Sequence, residues 1–208
     1  MFLYFDPRYI LFVMLPAIIL SAIAQLFVRS AFSKWGNIRN SSNLTGVDVA
    51  EHLMRTQGLS GVGLEAAPGN MGDHYDPRTH TVRLTRDIAA KPSVLSMAVV
   101  AHELGHAQQH AEHSPLIQMR NFLLPAVQFS PLLSYGLIVA GLIFQIPGLA
   151  WAGVLFFGLV VLFMVLTLPV EIDASRRGLR LLEASGLILT SEERQGARQV
   201  LTAAALTY

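Results

Sequence analysis

Three histidines and a glutamate lie in one short segment, AVVAHELGHAQQH, at residues 98–110. His102 and His106 are four residues apart, and Glu103 directly follows the first of them. Residues i and i+4 of a helix share one face, so both imidazoles would point toward the same metal ion. Glu103 would lie beside that ion, where a carboxylate can accept a proton from an activated water. The H-E-x-x-H spacing therefore predicts a zinc site, against the plainer interpretation of a solvated helix face.

The remaining composition limits what can complete such a site. The chain has no cysteine, which excludes disulfides and thiolate ligands, so zinc would need His, Asp or Glu. A catalytic zinc has three protein ligands and one open position. His110 continues the row of histidines, but it would lie ~12 Å along the helix axis from His102, too far to share the ion. We expect His110 at the surface or behind the ligands.

Three uncharged apolar segments predict membrane spans, at residues 9–28, 122–144 and 148–170. Each reaches roughly the ~20 residues that a helix needs to cross a bilayer. Only a short QIPG turn separates the second and third segments, which predicts a helical hairpin. The alternatives are a cleaved signal peptide for the first segment and a buried soluble hairpin for the other two. We favour a retained anchor and a membrane hairpin.

Charge predicts the orientation of these spans. The basic residues that flank them cluster on one side, and the positive-inside rule places residues 30–121 and 171–208 in the cytoplasm. These residues are Arg29, Lys34, Arg39, Arg120, Arg176, Arg177 and Arg180. The net charge of +1 gives no basic footprint of the kind that binds nucleic acid.

The segment LPVEIDASRRG, directly after the third span, supplies the best third ligand. A hairpin returns Glu171 to the face of the membrane on which the histidine helix lies. Asp173 is the competitor, but it lies about 200° around a helix from Glu171. We expect Asp173 to form an ion pair with Arg176 or Arg177 instead.

The segment between the first two spans reads as a small α+β unit. A helix is expected from Thr45 or Gly46 to Arg55, followed by strands in GVGLEAAPG and in HTVRLT at residues 80–85. Ser93 is a suitable N-cap for the histidine helix. The capping-box pattern from Thr190 to Glu193 predicts a last helix at residues 191–206.

Three segments together, HELGHAQQH, GDHYDPRTHTVRLT and LPVEIDASRRG, with spans between them, resemble the YugP-like family of small bacterial membrane proteins, described as neutral zinc metallopeptidases. The resemblance covers nearly the whole chain. The layout is more distantly similar to the HtpX-like membrane gluzincins. The resemblance implies His102, His106 and Glu171 as ligands of Zn²⁺, with Glu103 as general base. It also implies a multi-pass protein of the bacterial inner (plasma) membrane.

The chain departs from these families in two places. Gluzincins often carry an acid four residues after the ligand glutamate, whereas this chain has Ser175, so the support of the ligands must differ. Similar proteins also continue into another apolar segment where this sequence ends in LTAAALTY. A truncated chain and a missing last span are both open.

The resemblance also suggests how substrate is bound. In similar peptidases an edge strand beside the zinc helix pairs with the extended substrate, which implies a substrate-binding role for Thr81, Val82 and Arg83. His74 or Tyr75 in GDHYDP is a candidate for stabilising the oxyanion, although the segment also reads as a simple turn. His80 and His113 are expected at the surface.

The predicted fold class is an α-helical integral membrane protein of three spans with a small α+β, gluzincin-like zinc peptidase domain. The predicted divisions are an anchor at 1–30, a catalytic segment at 31–121, a hairpin at 122–170 and C-terminal helices at 171–208. The predicted function is a zinc endopeptidase that cleaves peptides or proteins at the cytoplasmic membrane surface. A non-enzymatic or latent zinc-binding scaffold, serving as a quality-control partner, is the alternative, and assembly into an oligomer is left open. An intramembrane protease is disfavoured because the histidine helix is too polar to face lipid.

Overall fold

The computed structural model describes residues 7–69 and 71–207, so the first six residues of the predicted anchor lie outside the described residues. The first helix is continuous from Pro7 to Gly36. It consists of α1 (Pro7–Tyr9), a π-helical segment (Ile10–Met14) and α2 (Leu15–Gly36). Its last turns bury Ala31 and Trp35, and the Trp35 indole Nε1 donates a hydrogen bond to Gln199 at 2.8 Å. The last turns of this apolar helix therefore belong to the hydrophobic core.

Two further long helices, α6 (Pro115–Ile143) and α7 (Pro147–Ala184), pack against each other as a hairpin. All three long helices are apolar and long enough to cross a membrane. The most apolar windows of α6 and α7 are only 17% and 6% buried, so the predicted alternative of a buried soluble hairpin is wrong. The 38 residues of α7 span about 57 Å, well beyond the ~30 Å hydrocarbon core. Glu171 is carried by this extension, without a break at the 170/171 division.

The remaining elements form a compact unit around α5. They are α3 (Gly46–Thr56), β1 (Gly63–Ala66), β2 (His74–Asp76), β3 (Thr81–Leu84), α4 (Arg86–Ala90), α5 (Val94–Ala111) and α8 (Ser191–Ala205). The predicted caps are confirmed. The Ser93 hydroxyl accepts from the Ser96 amide, and both hydrogen bonds of the Thr190–Glu193 capping box are present. A second capping box joins Thr45 to Asp48 at the start of α3.

The three strands form one sheet in the order β1-β3-β2, with β3 parallel to β1 and antiparallel to β2. Both edges of β3 are therefore paired, and the side chain of Val82 is fully buried. The prediction that Thr81, Val82 and Arg83 lie on an edge strand is wrong for this reason, and their substrate-binding role stays a prediction. The sequence pattern of alternating polar and apolar residues located the strand but not its neighbours. The edge beside α5 belongs instead to β2, in the segment that also read as a turn.

Arg83 links all three strands. Its guanidinium contacts Glu65 of β1 at 3.0 Å and Asp76 of β2 at 2.6 Å. The hydrogen bond from Arg83, assisted by the Arg78 amide, lowers the pKa of Asp76 to about 2. The side chain of Arg83 thus stabilises the sheet and does not face the cleft.

The helix α5 lies at the centre of this compact unit. Nearly all of its residues from Val94 to Gln109 are buried, because α3, α7, α8 and the sheet surround it. A helix enclosed in this way also buries whatever polar residues it carries. The motif residues His102, Glu103 and His106 are only 5%, 8% and 8% exposed.

Two glycines allow α5 and α7 to approach closely. A Cβ atom at Gly105 would overlap the backbone carbonyl of Ala174, and one at Gly178 would lie 2.8 Å from the carbonyl oxygen of Ala101. Both contacts are with backbone atoms, which cannot rotate away. The space that the sequence leaves at Gly105, between the two histidines, is therefore filled by the backbone of α7.

We expect Gly105→Ala to destabilise the protein although alanine is the better helix former by about 1 kcal/mol. Overpacking of this kind costs about 1–3 kcal/mol, because α5 and α7 must separate. Thermal unfolding of the detergent-purified protein measures the difference. Gly158→Ala in α7 is the matched control, since its Cβ would meet nothing within 4 Å. Equal effects of the two substitutions would contradict the close approach.

Candidate metal centre

His102 and His106 of α5 and Glu171 of α7 form one buried cluster. One potential ligand atom from each residue lies within 4.8 Å of the others. The Nε2 atoms of both histidines lie 3.2 Å from the same Glu171 oxygen, Oε2. Glu171 is completely buried. In the described part of the chain this is the one group of three or more such side chains that can hold a metal ion.

The ring of His102 is oriented by Ser175. The Ser175 hydroxyl donates its single hydrogen to the Leu201 carbonyl at 2.8 Å. It must then accept from His102 Nδ1, which lies 3.1 Å away, so this nitrogen carries the proton. The lone pair of a neutral His102 is consequently on Nε2, the atom that faces Glu171. Ser175 lies four residues after Glu171, where the resemblance led us to look for an acid. Its hydroxyl orients the His102 ring in place of a carboxylate.

The ring of His106 is oriented in the same way by Gln109. The amide nitrogen of Gln109 donates to the Val170 carbonyl at 2.9 Å and to Asp173 at 2.7 Å. Its oxygen Oε1 therefore accepts from His106 Nδ1 at 3.0 Å. His106, like His102, directs Nε2 toward the shared carboxylate. The two rings are nearly perpendicular, with centroids 4.8 Å apart.

This arrangement fits a cation. Neutral rings would turn two lone pairs toward one anionic oxygen, and a positive charge at that point removes the repulsion. Burial lowers the pKa of His106, but the hydrogen bond to Glu171 and the nearby charges of Glu103 and Glu171 outweigh it and raise the pKa overall. The second oxygen of Glu171, Oε1, is buried without a hydrogen-bond partner among the described residues. Two imidazoles and a carboxylate, with no thiolate, are the donor set that zinc peptidases use.

Asp173, the competing ligand, lies outside the cluster. Its carboxylate contacts the Arg177 guanidinium at 2.7 Å, one turn along α7. This is one of the ion pairs that the sequence predicted. The same carboxylate oxygen accepts from Gln109, so Asp173 acts on His106 only through that amide.

Glu103 is held by the main chain of β2. The Tyr75 amide donates to Glu103 Oε2 at 2.9 Å, across the edge of the sheet that faces α5. The short strand thus fixes the direction of the carboxylate next to the histidine pair. Sequence reasoning placed Tyr75 near the site as a side chain, whereas its clearest contact there is made by its backbone.

The side chains of His74 and Tyr75 point to different partners. His74 Nδ1 lies 2.9 Å from the Gly72 carbonyl, and the Tyr75 hydroxyl lies 3.1 Å from His80 Nδ1. His110 stacks edge-on against His80, with ring centroids 4.7 Å apart, and does not join the buried cluster. Burial and the neighbouring charges of His80 and His113 lower the pKa of His110.

A cleft extends on both sides of Glu103. One pocket of about 90 Å³ is mainly polar and is lined by His102, Glu103, His106, His74 and Arg120, among others. The other, of about 210 Å³, is lined by Phe32, Val99 and Ala204 together with His102 and Glu103. The two pockets meet at the motif residues, which gives a polar side and a more apolar side to the cleft.

Sequence reasoning missed two residues of this region as site residues. Gln109 was not singled out, and Arg120 was considered only as a charge beside a span. A signal existed for Gln109, since it follows His106 by three residues on the same helix face. No local signal existed for Arg120, because α6 meets α5 only in the folded chain.

We expect Ser175→Ala and Gln109→Leu each to weaken zinc affinity by about 10–100-fold. Each substitution removes the acceptor that fixes the proton on Nδ1 of one histidine. Competition with a fluorescent chelator measures the affinity. Gln108→Leu and Ser185→Ala are matched controls away from the cluster. Unchanged affinity in Ser175→Ala and Gln109→Leu would show that the hydrogen bonds do not tune the site.

The comparisons with known proteins agree with the site. The model of a family described as "Putative neutral zinc metallopeptidase" matches residues 10–208. The chain is 35% identical over 198 residues to a protein of Bacillus subtilis (strain 168) named "Putative membrane protease YugP", covering 95% of this chain and 88% of that protein. No solved structure matches the chain. The predicted resemblance is confirmed, and the chain belongs to the family of putative neutral zinc metallopeptidases.

Proposed function

We propose that this protein is a membrane-bound zinc endopeptidase whose ligands are His102, His106 and Glu171 and whose general base is Glu103. The observation that carries the proposal is the convergence of two Nε2 atoms on one Glu171 oxygen, with Glu103 on the same helix. Three protein ligands leave a coordination position open, as catalytic zinc sites do, whereas structural sites are closed by four. The family description and the name of the Bacillus relative support the same activity.

The metal and the protein contribute different parts of the chemistry. Zinc, when bound, supplies a Lewis acid that polarises the scissile carbonyl and lowers the pKa of water. Glu103 accepts a proton from the attacking water and later delivers it to the nitrogen of the leaving amine. The Tyr75 amide holds one carboxylate oxygen in place, which orients the base before substrate arrives.

The cleft suggests how a peptide is accommodated. We place the scissile bond beside Glu103, where the polar and apolar pockets meet. The larger pocket, with Phe32 and Val99 in its wall, suits an apolar side chain next to that bond. The smaller, polar pocket suits the peptide group itself.

The course of α7 supports a location of the site at the membrane surface. The helix carries the apolar third span and, one residue later, Glu171. We therefore place the metal at the membrane surface, and the positive-inside rule favours the cytoplasmic side of a bacterial plasma membrane. Substrates would be peptides or proteins that reach this surface.

We assign the catalytic unit to the gluzincin-like class, because its third ligand is a glutamate on a helix after the H-E-x-x-H helix. The anchor at 1–30, the catalytic segment at 31–121, the hairpin at 122–170 and the C-terminal helices at 171–208 are its working divisions. The site needs two of them, since His102 lies in the second and Glu171 in the fourth.

We expect Glu103→Gln to reduce cleavage of an unfolded protein by about 10²–10⁴-fold, because glutamine cannot accept the proton from water. Zinc content should stay at the wild-type value, since the ligands are untouched. The matched control is Glu112→Gln, whose carboxylate pairs with Arg177 away from the cluster. The measurement is proteolysis by zinc-loaded, detergent-purified protein.

The possible outcomes distinguish a peptidase from a non-enzymatic zinc-binding scaffold. Equal activity of Glu103→Gln and wild type would contradict the assigned mechanism and indicate a contaminating protease. Zinc binding without cleavage by the wild type would favour the non-enzymatic scaffold.

A further inference from the structure

Arg120 is a half-buried cation in the same pocket as the motif residues. It lies near the start of α6, directly before the apolar part of that helix. It lines the 90 Å³ pocket together with His102, Glu103 and His106. The Nε atom is buried and has no hydrogen-bond partner among the described residues. No ion pair of Arg120 occurs within residues 7–69 and 71–207.

An arginine whose Nε atom is buried without a hydrogen-bond partner is costly, so its position needs a reason. Taking a charge out of water is compensated only by a partner of opposite charge and by hydrogen bonds. The two acidic residues that line this pocket already have partners. Asp73 accepts from Thr85, and Glu103 accepts from the Tyr75 amide. The planar guanidinium group of Arg120 has no such partner and is thus available to bind an anion.

The side chains that the sequence offered for the oxyanion are less suitable. A carbonyl can only accept, so His74 Nδ1 must donate to Gly72, and a neutral His74 then presents a lone pair on Nε2. The Tyr75 hydroxyl is engaged with His80. Arginine carries its charge at every relevant pH and donates through several N–H groups. It is therefore the better donor to a negative oxygen.

We propose that Arg120 is a catalytic residue that binds the oxygen of the scissile carbonyl as it becomes an oxyanion; this rests on the proposed peptidase function. When water attacks, its oxygen bonds to the carbonyl carbon, the carbonyl π electrons move to oxygen, and Glu103 takes the proton. An N–H of Arg120 donates to the oxygen that gains the charge. When the C–N bond breaks, the electrons return to the carbonyl, and Glu103 gives its proton to the amine.

Two substitutions of Arg120 test this role. Arg120→Met keeps an unbranched, apolar stem and removes the charge, whereas Arg120→Lys keeps the charge and loses the planar guanidinium. We expect Arg120→Met to lower kcat by about 10²–10³-fold with little change in KM. Arg120→Lys should retain an intermediate kcat. Arg86→Met, an exposed arginine of α4, is the control for the loss of one positive charge.

Two peptide substrates and a binding assay distinguish contact with the oxyanion from other roles of Arg120. One peptide sequence is used with a free C-terminal carboxylate and with a C-terminal amide. Calorimetry with a phosphinic peptide, an anionic mimic of the tetrahedral intermediate, gives a readout that does not depend on turnover. We expect Arg120→Met to weaken phosphinic-peptide binding at least about tenfold while zinc content and Tm stay near wild type.

Several results would overturn the proposal. Unchanged kcat and phosphinic-peptide affinity in Arg120→Met would exclude contact with the oxyanion while leaving the peptidase function intact. A rise in KM confined to the carboxylate-terminated peptide would assign Arg120 to recognition of a free C-terminus. An equal loss of Tm and zinc in Arg120→Met and Arg120→Lys would assign it to folding. Phosphinic-peptide binding that requires Arg120 in a wild-type protein without cleavage would refute the peptidase function but keep the anion site.

Discussion

The close contact of α5 with α7 is the constraint on which the site depends. Glu171 is distant in sequence from the histidines, and it reaches them only because the two helix backbones meet at Gly105 and Gly178. A side chain at either glycine would hold the helices apart. The ligand atoms would then separate by more than a metal–ligand bond can span, since those bonds are only about 2.0–2.2 Å long. The geometry of the candidate metal centre is therefore set by backbone packing.

The same contact connects the candidate site to the apolar helical hairpin. The helix α7 is continuous from the apolar hairpin to Glu171 and beyond it to Ala184. On the other side, α8 buries Gly196 against Trp35 at the end of the first apolar helix and offers the Leu201 carbonyl to Ser175. Each histidine is consequently oriented by a hydrogen-bond chain that ends on main-chain carbonyls. This rigid support suits a site that must hold three ligands in one geometry.

Local patterns made much of this structure predictable. The pairing of His102 with His106 depends only on helical spacing, and the capping boxes specify helix starts within four residues. Glu171 was predictable because a short hairpin turn determines which side of the membrane it returns to. These features require no knowledge of which distant segments touch.

The features that sequence reasoning missed all depend on long-range neighbours. The alternation in residues 80–85 identified β3, but a strand pattern does not reveal whether both edges are paired, so its position at an edge was predicted wrongly. The turn-forming residues around His74 favoured a turn, whereas the structure has the strand β2 there. The backbone of β2 donates a hydrogen bond to Glu103. From the sequence Arg120 is an ordinary charge beside a span, whereas in the structure it lines the same pocket as the motif residues. Such positions are set by tertiary packing, which no local pattern encodes.

Zinc binding by Glu171→Gln, compared with Asp173→Asn, tests the central claim most directly. Equilibrium titration of the purified, metal-free protein should give about one zinc per chain for wild type and for Asp173→Asn. In Glu171→Gln the affinity should fall beyond the ~10–100-fold loss that is typical when only a supporting residue is removed. Retention of wild-type affinity by Glu171→Gln, with loss in Asp173→Asn, would show that the ligand set is wrong.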